Sequence, residues 1–84
     1  MDYADNLQRF LYDELFVDAE PDDIQLDDGL RAQHGLDSLG FLELRVHCEA
    51  LFAISIPEED FTPENFRTLH TILEYAHARQ AQGN

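Results

Sequence analysis

Apolar residues recur at helical intervals in three stretches of the chain, and those intervals predict both the helices and the faces they bury. Tyr3, Leu7, Phe10 and Leu11 share one face, which predicts a first helix over about residues 3 to 16, ending where acidic residues begin. Phe41, Leu44, Cys48, Leu51 and Phe52 stand at i, i+3, i+7, i+10 and i+11, one buried stripe on a second helix over residues 38 to 53. With about 100° of rotation per residue, Leu39, Leu42 and Val46 fall on nearly the opposite side of that helix, flanked by Glu43, His47 and Glu49. So small a protein has little means of burying both faces of one helix, so the second stripe is expected at the surface as a docking strip. Thr68 is placed to cap a last helix whose Leu69, Ile72, Leu73 and Ala76 point inward.

The segments between follow from their breakers. Residues 18 to 37 hold Pro21, Gly29, Gly35 and seven acidic residues, which predicts a long irregular connection pinned to the core by Ile24, Leu26 and Leu30. Ile54-Ser55-Ile56-Pro57 alternates like a strand, but one such segment with no partner makes no sheet, so it is read as an extended linker. Thr62-Pro63-Glu64 supplies a cap, a proline at the first helical position and an acid in the first turn, predicting a short helix near residues 63 to 67. The sum is an all-α protein, a small four-helix bundle of three long helices and one short one. It is expected to form one domain over residues 1 to 84, ordered from about 3 to 79 and ending in a polar tail over 80 to 84. No internal repeat or low-complexity tract is present.

Length and charge narrow the function. A chain of 84 residues buries only about 60% of its unfolded surface, which leaves no room for an enclosed active site. Its 18 acidic residues outnumber five basic ones, all arginine, and the net charge of -13 argues against nucleic acid and anionic membranes. Basic protein partners and a monomeric state are expected instead. The single Cys48 lies on the core face of the second helix, so no internal disulfide forms and a reducing compartment fits. No apolar run approaches the ~18 residues that cross a membrane, and no basic-then-apolar leader follows Met1, so a discrete cytoplasmic protein is expected.

Few residues offer chemistry. Asp18, Glu20 and Asp22 alternate as in a calcium loop, but Asp23 and Gly29 occupy the positions that require glycine and glutamate, and no metal site is expected. His34, His47, His70 and His77 are scattered and are read as solvated or as partner contacts. Ser38 is the exception. Asp37 is a natural N-cap, which makes Ser38 the first helical residue and leaves its hydroxyl beside unpaired N–H groups at the positive end of the helix dipole. A phosphoryl group attached there is electrostatically favoured. Ser38 lacks the Gly-x-Ser-x-Gly setting of a nucleophile elbow, and no histidine is assignable as its base, so a hydrolase is not expected.

Leu30, Gly35-Leu36-Asp37-Ser38-Leu39, Glu43-Leu44, Glu49 to Phe52, Ile56-Pro57, Phe66-Arg67-Thr68-Leu69 and Ile72 together make the chain resemble the acyl carrier and peptidyl carrier protein family over most of its length. The resemblance implies covalent attachment of 4'-phosphopantetheine to Ser38 by a phosphopantetheinyl transferase, which supplies the base and the magnesium. It further implies a non-enzymatic carrier of thioesters that is loaded by a ligase or acyltransferase and visits downstream enzymes with basic docking surfaces. Asp37, Leu39, Leu42, Glu43 and Val46 are then the expected partner contacts, Glu43 matching an acidic position that family members set against arginines or lysines. Gly40, Arg45 and Ala50 depart from the fatty-acid type, and Phe41 is bulky where it faces the short helix, which favours a specialised polyketide or nonribosomal-peptide pathway. Leu36-Asp37-Ser38 is shared with D-alanyl and other aminoacyl carriers, so that cargo stays open. A different class, an unmodified acidic adaptor on the same fold, parts from the carrier at Ser38, because Ser38→Ala abolishes a carrier and spares an adaptor.

Overall fold

The computed structural model describes residues 2 to 82, and among them the chain is all-helical, with no strand. Three α-helices carry it: α1 over Tyr3–Asp13, α2 over Ser38–Phe52 and α3 over Leu69–Ala81. Single 3-10 turns occupy Pro21–Asp23 and Glu58–Asp60 in the two connections. Residues 83 and 84 of the expected polar tail lie outside the described residues, and α3 runs two residues past the expected end of the ordered core.

The core is built from one face of each helix plus anchors from the connections. Leu7 and Leu11 of α1, Leu44, Cys48 and Phe52 of α2, and Leu69, Ile72 and Ala76 of α3 are buried together with Ile24, Leu30, Ile54, Ile56 and Phe66. Each fully buried leucine stabilises the fold by about 2 kcal/mol relative to exposure. On α2 the buried stripe starts from Gly40, whereas Phe41 and Leu51, expected in the stripe, are only partly buried at its edges. Gly40 has a packing reason: a Cβ there would meet Leu36 Cδ1 at 2.7 Å, so the missing side chain lets Leu36 lie against the start of α2.

Three expectations are corrected. The first helix stops at Asp13 rather than near residue 16, because Phe16 takes a left-handed φ of 56° and the chain folds back through Val17 N–H to the Leu11 carbonyl at 3.1 Å. Leu26 does not pin the connection by burial, being 38% exposed, although its carbonyl accepts the His70 N–H at 3.0 Å. Residues 63 to 67 form one turn instead of a fourth helix. Thr62 does cap that turn, its Oγ1 accepting from Asn65 N–H at 3.2 Å and its carbonyl from Phe66 N–H at 3.1 Å. Phe66 then drops into the core, and Thr68 returns to extended backbone (φ -137°, ψ 167°) to start α3 with a reciprocal Thr68–Thr71 capping box.

The connections are held by polar clamps as well as by anchors. Arg45 of α2 donates to the Ile56 carbonyl at 2.6 Å and to Glu58 at 3.0 Å, with its guanidinium 4.9 Å from the centre of the Phe61 ring. Glu49 accepts the Ile56 N–H at 2.8 Å. Residues 54 to 57 therefore lie along α2 as an extended linker, and the 3-10 turn Glu58–Asp60 follows it. On the other side, Leu30 N–H donates to the Arg67 carbonyl at 2.9 Å and ties the long connection to the turn before α3.

Candidate functional site

Ser38 is delivered to the surface by residues that are themselves fixed. Gly35 takes a left-handed φ of 68°, which glycine adopts without strain, and its N–H bonds to the Arg31 carbonyl at 3.1 Å. The next residue, Leu36, is buried and donates its N–H to the Leu30 carbonyl at 3.0 Å. Asp37 then caps α2: its carboxylate accepts the Gly40 N–H at 2.8 Å and its carbonyl the Phe41 N–H at 2.9 Å. Ser38 follows as the first residue of the helix and is exposed. Among the described residues its hydroxyl has no hydrogen-bond partner, and by helix geometry the N–H groups of Ser38 and Leu39 have no intrahelical acceptor. An unencumbered hydroxyl at a helix N-terminus suits a phosphate ester, whose charge those N–H groups and the helix dipole favour.

Among the described residues no base is hydrogen-bonded to it. His34 is engaged by Asp28 at 3.0 Å, and Asp28 is held below the usual carboxylate range by the Gln25 N–H and by His34. His47 donates its Nε2–H to Asn6 Oδ1 at 2.7 Å and stacks on Phe10 with ring centres 3.9 Å apart, and burial lowers its pKa. His70 lies 3.0 Å from Asp27 and 3.5 Å from Glu74, which raise its pKa. The expectation of solvated histidines is thus corrected for His34 and His47, which are part-buried, whereas His70 is exposed although paired with Asp27 and Glu74. Cys48 is buried, and loss of solvation pushes its thiol up to about 12, so it supplies no nucleophile. No group of three His, Cys, Asp or Glu side chains among the described residues is placed to hold a metal.

Beside Ser38 the α2 surface divides in two. Outward, Leu39 (65% exposed), Leu42 (47%) and Val46 (65%) form the apolar strip expected from the periodicity, with exposed Glu43 within it. Toward the turn before α3, Phe41 and Leu42 face Phe61, Pro63 and Phe66 across a cleft of about 670 Å³ that Ser38 also lines. Phe41 does face the segment once expected to be the short helix, and it forms a wall of this cleft. Arg31 and Arg67 line the cleft as well, and neither was given a site role by the sequence. The available signal was their scarcity, two of only five basic residues, one in the connection before Ser38 and one just before α3.

Residues 14–76 match the family model described as the phosphopantetheine attachment site. A D-alanyl carrier protein of Streptococcus equi subsp. zooepidemicus is 36% identical over 64 residues, spanning 76% of this chain and 78% of its own. One from Streptococcus uberis is 40% identical over 63 residues, 75% of this chain and 77% of its own. An aminoacyl carrier protein of Bradyrhizobium diazoefficiens is 46% identical over a shorter stretch of 35 residues, 42% of this chain and 39% of its own. No helix among the described residues is long and apolar enough to cross a membrane.

Proposed function

Since the chain belongs to the phosphopantetheine attachment site family, whose members bear a covalent 4'-phosphopantetheine arm, we propose that it is an aminoacyl carrier protein modified on Ser38. The observation that carries the reading is the exposed, unpartnered Ser38 hydroxyl at the first position of α2, beside the exposed Leu39, Leu42 and Val46. The names of the relatives, D-alanyl and aminoacyl carriers, favour amino acids over the polyketide or nonribosomal-peptide pathway that the departures within α2 suggested.

When bound, the arm supplies a terminal thiol that carries the cargo as a thioester. The chain's own part is to present and to dock. Asp37 holds the first turn of α2, so the Ser38 oxygen projects where a transferase can reach it. Ser38 Oγ forms the new bond to phosphorus as the pyrophosphate bond of coenzyme A breaks and adenosine 3',5'-bisphosphate leaves, and the hydroxyl proton passes to a base of the transferase. The N–H groups of the first turn favour the resulting charge. Leu39, Leu42, Glu43 and Val46 form the surface on which the transferase, a loading ligase and later enzymes alternate. Weak docking combined with a tether keeps cargo concentrated at whichever enzyme is bound while permitting hand-over. No catalytic group is required of the chain for these roles.

Intact mass spectrometry tests the reading directly. After incubation with coenzyme A, magnesium and a broad-specificity phosphopantetheinyl transferase, the native protein gains one phosphopantetheine and Ser38→Ala gains none. Failure of the native protein to gain it, under conditions that modify a control carrier, would leave the unmodified adaptor as the better account.

A further inference from the structure

Arginine is scarce in this chain, and its placement is uneven. Of the five arginines, Arg9 pairs with Asp5 at 3.5 Å, Arg45 with Glu58 at 3.0 Å, and Arg79 bonds Gln82 at 3.4 Å. Arg31 and Arg67 have no carboxylate partner among the described residues, although 18 acidic residues are available in the chain. Both line the cleft that Ser38 also lines. The guanidinium of Arg31 sits 5.3 Å from the centre of the Phe41 ring, so a cation–π contact rests it against the cleft wall. The one carboxylate of the lining, Asp27, is engaged by His70 at 3.0 Å. The remainder is largely aromatic and aliphatic, Phe41, Phe61, Phe66 and Leu42 among it, while Arg31 and Arg67 are themselves exposed.

Two cations left without acids on the lining of one largely apolar cleft of ligand size make a site for a planar or tetrahedral oxyanion, which guanidinium groups bind through paired N–H donors. The occupant within reach is the protein's own arm, since Ser38 stands on the rim. We infer that Arg31 and Arg67 form an oxyanion seat for the loaded arm, holding either its phosphodiester or, since an aminoacyl thioester has no free α-carboxylate, the side-chain carboxylate of an acidic amino-acid cargo. The inference rests on attachment at Ser38. It gives the cleft a role in positioning or selecting what the arm carries, separate from the docking strip on the outer face of α2.

The test uses whole protein loaded at Ser38 by the transferase with three pantetheine forms: unloaded, amide-linked succinyl, and amide-linked succinamoyl, the last two differing only in carboxylate against amide. Heteronuclear NMR follows the side-chain Nε–Hε signals of Arg31 and Arg67, with Arg9 as an internal control, and intact mass confirms loading. The seat predicts that both cleft arginines shift and slow their hydrogen exchange severalfold while Arg9 does not. A full effect in all three forms identifies the phosphodiester as the anion, and an effect confined to the succinyl form identifies a cargo carboxylate. Loading is also expected to shift the amides of Gly29 and Thr68, which line the cleft, and in Arg31→Gln/Arg67→Gln those shifts disappear while the remaining amide spectrum keeps the native pattern. Complete loading with no response at either arginine overturns the seat and leaves the carrier reading standing. Absence of any mass gain overturns both.

Discussion

His47 and His70 sit in opposite environments, and the pH response of the protein follows from the difference. Burial against Phe10 disfavours the charged form of His47 and lowers its pKa below the ordinary 6.5. The unfolded chain therefore binds that proton more readily, so stability is full above the unfolded value and falls as pH drops through it. His70 is the reverse case: its bond to Asp27 and the charge of Glu74 raise its pKa, so its contribution is complete below 6.5 and is lost as pH rises through the folded value. We predict that histidine side-chain NMR titrations place His47 below 6.5 and His70 above it, and that His47→Gln flattens the acid side of a thermal-midpoint profile while His70→Gln flattens the neutral side. Coincident midpoints for the two rings would contradict these environments. The leading contacts were not readable from sequence, because these partners lie far along the chain, Asn6 for His47 and Asp27 for His70, whereas Glu74 stands only four residues from His70 on the same helix. Asp37 and Ser38 were readable for the complementary reason: a cap and the residue after it depend on bonds spanning only a few positions, such as Asp37 to Gly40.

The helices were legible where their signals are local and obscured where the backbone does something a side chain seldom accepts. The start of α2 is written in Asp37, and its inward and outward faces in the spacing of its leucines. Its stop is set by Ala53, which adopts a left-handed φ of 56° and returns its N–H to the Glu49 carbonyl, with Ile54 N–H also reaching Glu49 at 3.1 Å. That cap geometry normally selects glycine. An L-residue there pays about 1 kcal/mol, partly offset because glycine frees the unfolded chain. Ala53→Gly is therefore expected to stabilise the protein by up to about 0.5 kcal/mol, read as a higher urea midpoint at unchanged slope. A lower midpoint would mean that the Ala53 methyl makes contacts outweighing the strain. Phe16 hides the end of α1 in the same way, since no glycine marks the turn. At residues 62 to 68 two competent caps lie so close together that both cannot lead helices. Thr68 prevails because the segment it opens buries Leu69, Ile72 and Ala76, whereas the turn begun at Thr62 contributes Phe66 to the core and then stops.

At the scale of the molecule, two unlike forces are assigned to the same encounter: a net charge of -13 that acts at a distance, and a strip of three exposed apolar side chains that acts only on contact. They are separable by salt. Long-range attraction between this surface and a basic transferase is screened beyond a Debye length of about 8 Å at 0.15 M ionic strength, whereas burial of Val46 or Leu42 is not. Raising sodium chloride is expected to lower kcat/KM for arm attachment progressively, chiefly through slower encounter. Val46→Ser removes apolar contact without altering charge. If Val46 lies under the docked enzyme, it should reduce kcat/KM about tenfold at every salt concentration, corresponding to about 1.4 kcal/mol, and leave the slope against ionic strength unchanged. Because Val46 is 65% exposed, the same change should leave stability within about 0.5 kcal/mol of the native protein. Parallel salt dependences offset by a constant factor would establish that charge brings the partners together and that the strip on α2 holds them. Superimposed curves would remove Val46 from the interface and shift docking toward the acidic residues alone.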